Sequence, residues 1–234
     1  MKEILAVLVG SWLIALGWGG GSRALTQPAL RVLQDSPAEN IAFRWGFGAL
    51  VGKDKKFVTI GRDTALGSGD ELKMVVELRK NCYVYVIHHS PKGEVALLFP
   101  ESFGQFAGDY AVGKNYYVPK GRGWFELDNS TGRETFYLLS STERLLDLEA
   151  LVGNYSSAKT EQKSDLGKKI VAEIRDVKRK FRNFATLAER PVTIGGNVRG
   201  VEGADPANRP DVASIVTEIS ANNFYAKTFT IEHK

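Results

Sequence analysis

The sequence predicts an antiparallel β-sandwich with a helical insertion, and three observations carry that expectation. From about Phe57 to Ser141 the chain groups β-branched and aromatic residues in short runs, and such runs bounded by turn signals mark an all-β region. Ser90-Pro91-Lys92-Gly93 and Asp128-Asn129-Ser130-Thr131-Gly132 each join two of these runs. In the first, proline presets φ and glycine supplies a positive φ, as a tight reversal requires. Beyond Ser141 the apolar period lengthens to three and four, which predicts one long amphipathic helix over about 161–189.

The chain opens with Met1-Lys2-Glu3 and an apolar run from Ile4 to Trp18, broken only by Gly10, Ser11 and Gly17. That run is short of the roughly 20 residues of a membrane helix and fits the apolar centre of a secretory leader. Ser22-Arg23-Ala24 then puts small residues at the −3 and −1 positions of a cleavage site. Residues 1–24 are therefore expected to be a signal peptide that directs export to the periplasm or beyond the cell; an uncleaved N-terminal anchor is the alternative. Residues 25–55 are expected to be an N-terminal extension, and 56–234 a single β-rich domain with a helical insertion at 142–190. Without the leader the formal charge falls from +4 to +3, too small to imply nucleic acid by itself. The charged fraction of 25% and apolar fraction of 43% are ordinary for a folded domain. Cys82 is the only cysteine, so no internal disulfide can form, and no disulfide-linked dimer is expected.

The expected strands are Lys56–Gly61, Glu71–Leu78, Cys82–His89, Glu94–Phe99, Tyr116–Val118, Gly123–Leu127, Glu134–Ser140 and the closing Phe224–Ile231. In Glu71–Leu78, Leu72, Met74, Val76 and Leu78 share a core face, while Glu71, Lys73 and Glu77 share the other with Val75, which reads as wet. Both faces of Cys82–His89 are apolar, which marks a strand covered on both sides. Thr142 to Leu151 predicts a short helix with Ser141 or Thr142 as its N-cap. In the long helix, Leu166, Ile170, Ile174, Val177, Phe181, Phe184 and Ala188 form one stripe. That stripe is expected to pack on the sheet and leave the cations outward.

Several of these segments resemble a known family in order and composition. They run Gly69-Asp70, Leu72-x-Met74-x-Val76, Tyr83-Val84-Tyr85-Val86, Gly93-x-Val95-x-Leu97-Leu98-Phe99-Pro100, Tyr117-Val118-Pro119, Phe125-x-Leu127, Gly132-x-Glu134 and Leu139-x-Ser141. With Leu145 they resemble the bacterial family catalogued as domain of unknown function 4384, over about residues 66–148 and the closing strand 224–231. The resemblance implies a β-rich module, often in exported or envelope-associated proteins and sometimes joined to peptidase or kinase domains. It implies no catalytic residues.

The residues themselves give little chemistry. His88 and His89 are adjacent on a strand and point to opposite faces, so they cannot share a metal, and no cluster has ligand spacing. Cys82 opens a core-facing strand, where a thiol is an inert small hydrophobe. No catalytic residue, metal or cofactor is expected. Two surfaces are candidates for binding. The helix carries Lys168, Lys169, Arg175, Lys178, Arg179 and Arg182 among its cations, which suit an acidic protein, an anionic glycan or a membrane surface. The loop after Pro100 carries Phe103, Phe106 and Tyr110, which either bind a ligand or cover one end of the sandwich. The expected function is an exported, non-enzymatic interaction module of the cell envelope, without nucleic acid as a partner. The alternative is an envelope hydrolase or other enzyme using the 103–116 loop with Cys82 or His88.

Overall fold

The computed structural model describes residues 40–181, 187–191 and 209–234. The expected leader, residues 25–39 of the expected extension, Arg182, Phe184 and residues 192–208 lie outside them. Among the described residues twelve strands and two α-helices follow in order: β1 (Ile41–Val51), β2 (Lys56–Thr59), β3 (Asp63–Leu66), β4 (Glu71–Leu78), β5 (Tyr83–His89), β6 (Val95–Phe99), β7 (Asn115–Val118), β8 (Phe125–Glu126) and β9 (Gly132–Ser141), then α1 (Leu146–Ser157), α2 (Thr160–Phe181), β10 (Leu187–Pro191), β11 (Thr217–Ala221) and β12 (Phe224–His233). One sheet runs β10-β11-β1-β4-β7, with β2 on β1 and β8 on β4; the other runs β3-β12-β9-β5-β6. All pairings are antiparallel except β3 with β12. This is a β-sandwich with a helical insertion.

Between the sheets lies the main core, built by alternate residues of each strand. From β1 it takes Ile41, Phe43, Trp45, Phe47 and Ala49, from β4 Leu72, Met74, Val76 and Leu78, and from β5 Val84 and Val86. A second core sits on the outer face of the β3-β12-β9-β5-β6 sheet. There Tyr85, Ile87 and Leu139 meet Leu148 and Val152 of α1 and Ile170, Ile174 and Val177 of α2. Burying an aliphatic side chain is worth about 1.5–3 kcal/mol, so this stripe fixes the helix. Phe181 extends it by stacking on Phe224 with ring centroids 4.8 Å apart. No helix among the described residues is long and apolar enough to cross a membrane.

Four expectations need correction. β1 lies inside the segment expected to be an extension, yet it pairs with β4, β11 and β2. Its glycines dilute the strand signal, and close packing requires them: a Cβ on Gly46 would fall 2.6 Å from the Val212 carbonyl oxygen, and one on Gly48 2.5 Å from the Phe57 ring. The second face of β4 is not wet. Val75 packs with Val212 and Val216, which arrive from far along the chain. The long helix is described from Thr160 to Phe181 and does not reach 189, because Leu187–Pro191 pairs with β11 as a strand. Finally, α1 starts at Leu146 rather than behind Ser141 or Thr142. Ser141 is the last residue of β9, and its hydroxyl accepts a 3.3 Å bond from Glu143 N in a turn. The helix start is held instead by Tyr85, whose hydroxyl accepts from Leu145 N at 3.1 Å and donates to Glu149 at 2.7 Å.

Candidate binding groove

The aromatic loop packs against β5 and keeps Phe103, Phe106 and Tyr110 half-buried. Residues Phe103–Ala107 form a 3-10 turn whose Phe106 meets Tyr83, Tyr85 and Tyr110 edge to face at 5.0, 5.4 and 4.9 Å. Phe103 lies against Tyr85. Tyr110 donates to the Cys82 carbonyl at 3.0 Å and accepts from Val84 N at 2.9 Å, satisfying the edge of β5 before β6 begins to pair with it. Burial pushes the Tyr110 hydroxyl above its ordinary range. Cys82 is 3% exposed, and burial pushes its thiol up as well, away from the thiolate that a nucleophile needs.

The expected basic face divides. Lys168, Lys169, Arg175 and Arg179 are exposed, with Lys168 beside Asp165 at 3.6 Å and Arg179 on Asp176 at 2.7 Å. Lys178 is not outward: it is half-buried and donates to Thr228 of β12 at 3.0 Å. Burial, with Arg62 nearby, lowers its pKa from the usual lysine range. Arg182 is outside the described residues.

Sequence reasoning missed a chain of polar groups at one end of the sandwich. His88 Nε2 lies 2.5 Å from Glu134 Oε2 and its ring stacks on Phe136 at 4.7 Å. His233 Nδ1 is 4.0 Å from the other oxygen of Glu134, and its Nε2 is 3.1 Å from Ser68 Oγ. At 4.0 Å the second contact is no hydrogen bond, so Glu134 belongs to His88. Among the described residues no group of three His, Cys, Asp or Glu side chains is placed to hold a metal ion.

The open side of the sandwich is where the molecule offers a concave apolar surface. β6 is the edge of one sheet, and β7 with β8 is the edge of the other. The β5–β6 ladder pairs His88 with Ala96 and Ile87 with Leu97, then Val86 with Phe99. Leu98 is therefore the extra residue of a β-bulge, and the bulge turns Leu98 and Phe99 inward together. On the facing edge Phe125 of β8 packs against the same core. Leu98 and Phe125 line two adjoining clefts of about 390 and 370 Å3, one toward Lys114 and Lys120, the other toward His88 and Glu94.

Lys73 shapes this facing edge. Met74 pairs with Val118 of β7 and Leu72 with Phe125 of β8, so Lys73 faces the interruption between them. Pro119 has no N–H to continue the ladder. The Lys73 ammonium donates instead to the carbonyls of Gly121 and Gly123 at 2.8 and 2.5 Å, with Pro119 at 3.4 Å. Its charge also sits 5.6 Å from the Tyr117 ring centre and 5.9 Å from that of Trp124. Burial lowers its pKa, helped by Arg209 and opposed by Asp211. A larger cleft, about 900 Å3, lies between the start of α1 and the end of α2. Its Arg144 and Arg179 are already engaged by Glu149 and Asp176.

Comparison with known proteins bears on the same stretch of chain. No curated protein and no solved structure matches. Residues 65–144 match the family model described as Domain of unknown function (DUF4384). The likeness expected from the Tyr83–Val86 and Leu97–Pro100 segments is thus shown: over residues 65–144, which include the whole groove between β6 and β8, this chain resembles the DUF4384 family.

Proposed function

We propose that this protein is an exported, non-enzymatic interaction module of the bacterial cell envelope, and that it holds an extended polypeptide segment of a partner in the groove between β6 and β8. The observation that carries this reading is the pair of adjoining clefts on either side of Leu98 and Phe125, at the edges of two separate sheets. An edge strand offers unpaired backbone groups to an added strand. In β6 the ladder turns the N–H and C=O of Ala96 toward β5 and those of Leu97 away from it. Tyr155 of α1 takes the outward N–H of Val95 at 3.0 Å, so a guest strand is steered to the half of β6 beside Leu97 and Leu98. The groups that recommended an enzyme are engaged elsewhere: Cys82 is buried, and His88 is committed to Glu134. The apolar run and Ser22-Arg23-Ala24 support export.

A photo-crosslinking side chain in place of exposed Ala96, set against one in place of exposed Lys169 on α2, tests the site in the native host. Adducts to a polypeptide from position 96 are expected. Adducts from position 169 alone would move the binding surface to the basic helix and overturn the groove.

A further inference from the structure

The two ends of the groove differ in charge. Toward β7 the charges neutralise one another: Lys114 pairs with Asp109, and Lys120 lies 3.3 Å from Glu101. Toward β5 the walls carry Glu94, Glu126, Asp128 and Glu134 against Lys92 alone. Glu134 is taken by His88. Lys92 donates to Ser130 Oγ at 2.8 Å. Asp128 accepts from Ser130 N at 2.7 Å, and that bond keeps its carboxyl below the usual range, hence ionised. Glu94 and Glu126 are exposed and form no ion pair among the described residues. On a chain whose net charge is +4, this is a local field of opposite sign over the apolar floor made by Leu98, Phe125 and Phe136.

From this complementarity we infer that the His88 end of the groove takes a cationic segment of extended polypeptide, with an apolar side chain seated between Leu98 and Phe125 and lysine or arginine side chains over Glu94, Glu126 and Asp128. The inference rests on the groove reading above and supplies the chemistry of its partner. Successive side chains of a strand point to opposite sides, so an alternation of apolar and basic residues meets floor and rim together. An anionic glycan or lipid headgroup is repelled by the same carboxylates. Rim charges of this kind set specificity and salt dependence, while the apolar contact holds the segment.

Fluorescence anisotropy with labelled peptides of about nine residues, long enough to lie along one edge strand, tests this on the full chain. Leucine alternates with lysine, serine or glutamate in the three probes. The lysine peptide is expected to bind about tenfold more tightly than the serine peptide and to weaken between about 50 and 500 mM salt, while the glutamate peptide does not bind. The double variant Glu94→Lys with Glu126→Lys should reverse the order of the charged peptides, and Ala96→Trp should block all of them. All three positions are exposed, so unchanged thermal melts will show that folding is intact. Equal binding of the lysine and serine peptides, indifferent to the double variant but blocked by Ala96→Trp, would overturn the charge assignment and leave the groove standing. No binding of any peptide, or binding indifferent to Ala96→Trp, would overturn both.

Discussion

Lys73 and Tyr110 are single residues that satisfy backbone groups where a neighbouring strand is missing. Removing the ammonium by Lys73→Met leaves the Gly121 and Gly123 carbonyls without their donor, and hydrogen bonds to charged groups are worth about 1.5–3 kcal/mol each. Chemical denaturation should show a loss of about 2–4 kcal/mol, and the 370–390 Å3 clefts beside Phe125 should lose affinity for any guest. An unchanged midpoint would show that the β7–β8 interruption holds without Lys73. Tyrosines make stability depend on pH. Tyr85, Tyr110 and Tyr225 are all pushed above the ordinary phenol value of 10.0, in each case chiefly by burial. Above that value the unfolded chain ionises while the folded protein does not, so the folded state binds more protons and stability falls as pH rises. The contribution is fully present below pH 10.0. Melting temperatures measured from neutral pH upward should therefore drop beyond it, with a shallower drop in Tyr110→Phe.

At the scale of elements, α2 is placed by its apolar stripe and not by its charge. Ile174 is fully buried, whereas Phe181 is half-buried against Phe224. Ile174→Ala should thus cost about 2–5 kcal/mol, and Phe181→Ala less, about 1–2 kcal/mol. Reversing the charge of exposed Arg179 should barely move the melting temperature, because exposed ion pairs contribute about 0–1 kcal/mol. Equilibrium unfolding of the three variants checks the ranking; a larger loss from Arg179→Glu than from Ile174→Ala would mean that charge docks the helix.

For the whole molecule, the concave side between β6 and β8 is open among the described residues, and the strands bordering it fall within residues 65–144. A binding module needs such a side and a route to its partner. Removal of the leader after Ala24 is the expected route, and mass spectrometry of the protein from its native host should find Leu25 as the first residue. Intact Met1 on protein recovered from the cytoplasm would remove the envelope from the proposal.

Much of the fold is legible in the order of residues, because pleat and helix have fixed local periods. Glu71–Leu78 has the predicted bounds, Tyr83–His89 and Phe224–His233 differ from theirs only at an end, and the apolar rows of β4, β5 and α2 pack as their spacing requires. In β1 the alternation of Ile41, Phe43, Trp45 and Phe47 is equally regular, but Gly46 and Gly48 mask it until the segment packed against them is known. The groove is hardly legible at all. Its floor depends on a one-residue slip at Leu98, on Lys73 filling an interruption in a ladder, and on which strands end as edges. The β4 pairings with β7 and β8 join residues distant in the chain, and the slip at Leu98 is a choice of register that the hairpin turn alone does not make. By itself the sequence determined the strands from β4 to β9 with the closing β12, the buried rows of β4 and β5 and the amphipathic helix, since these follow from neighbours a few positions apart. Tertiary structure alone decided which edges stay open and which charges line them, since pairing across long loops depends on the whole set of competing contacts.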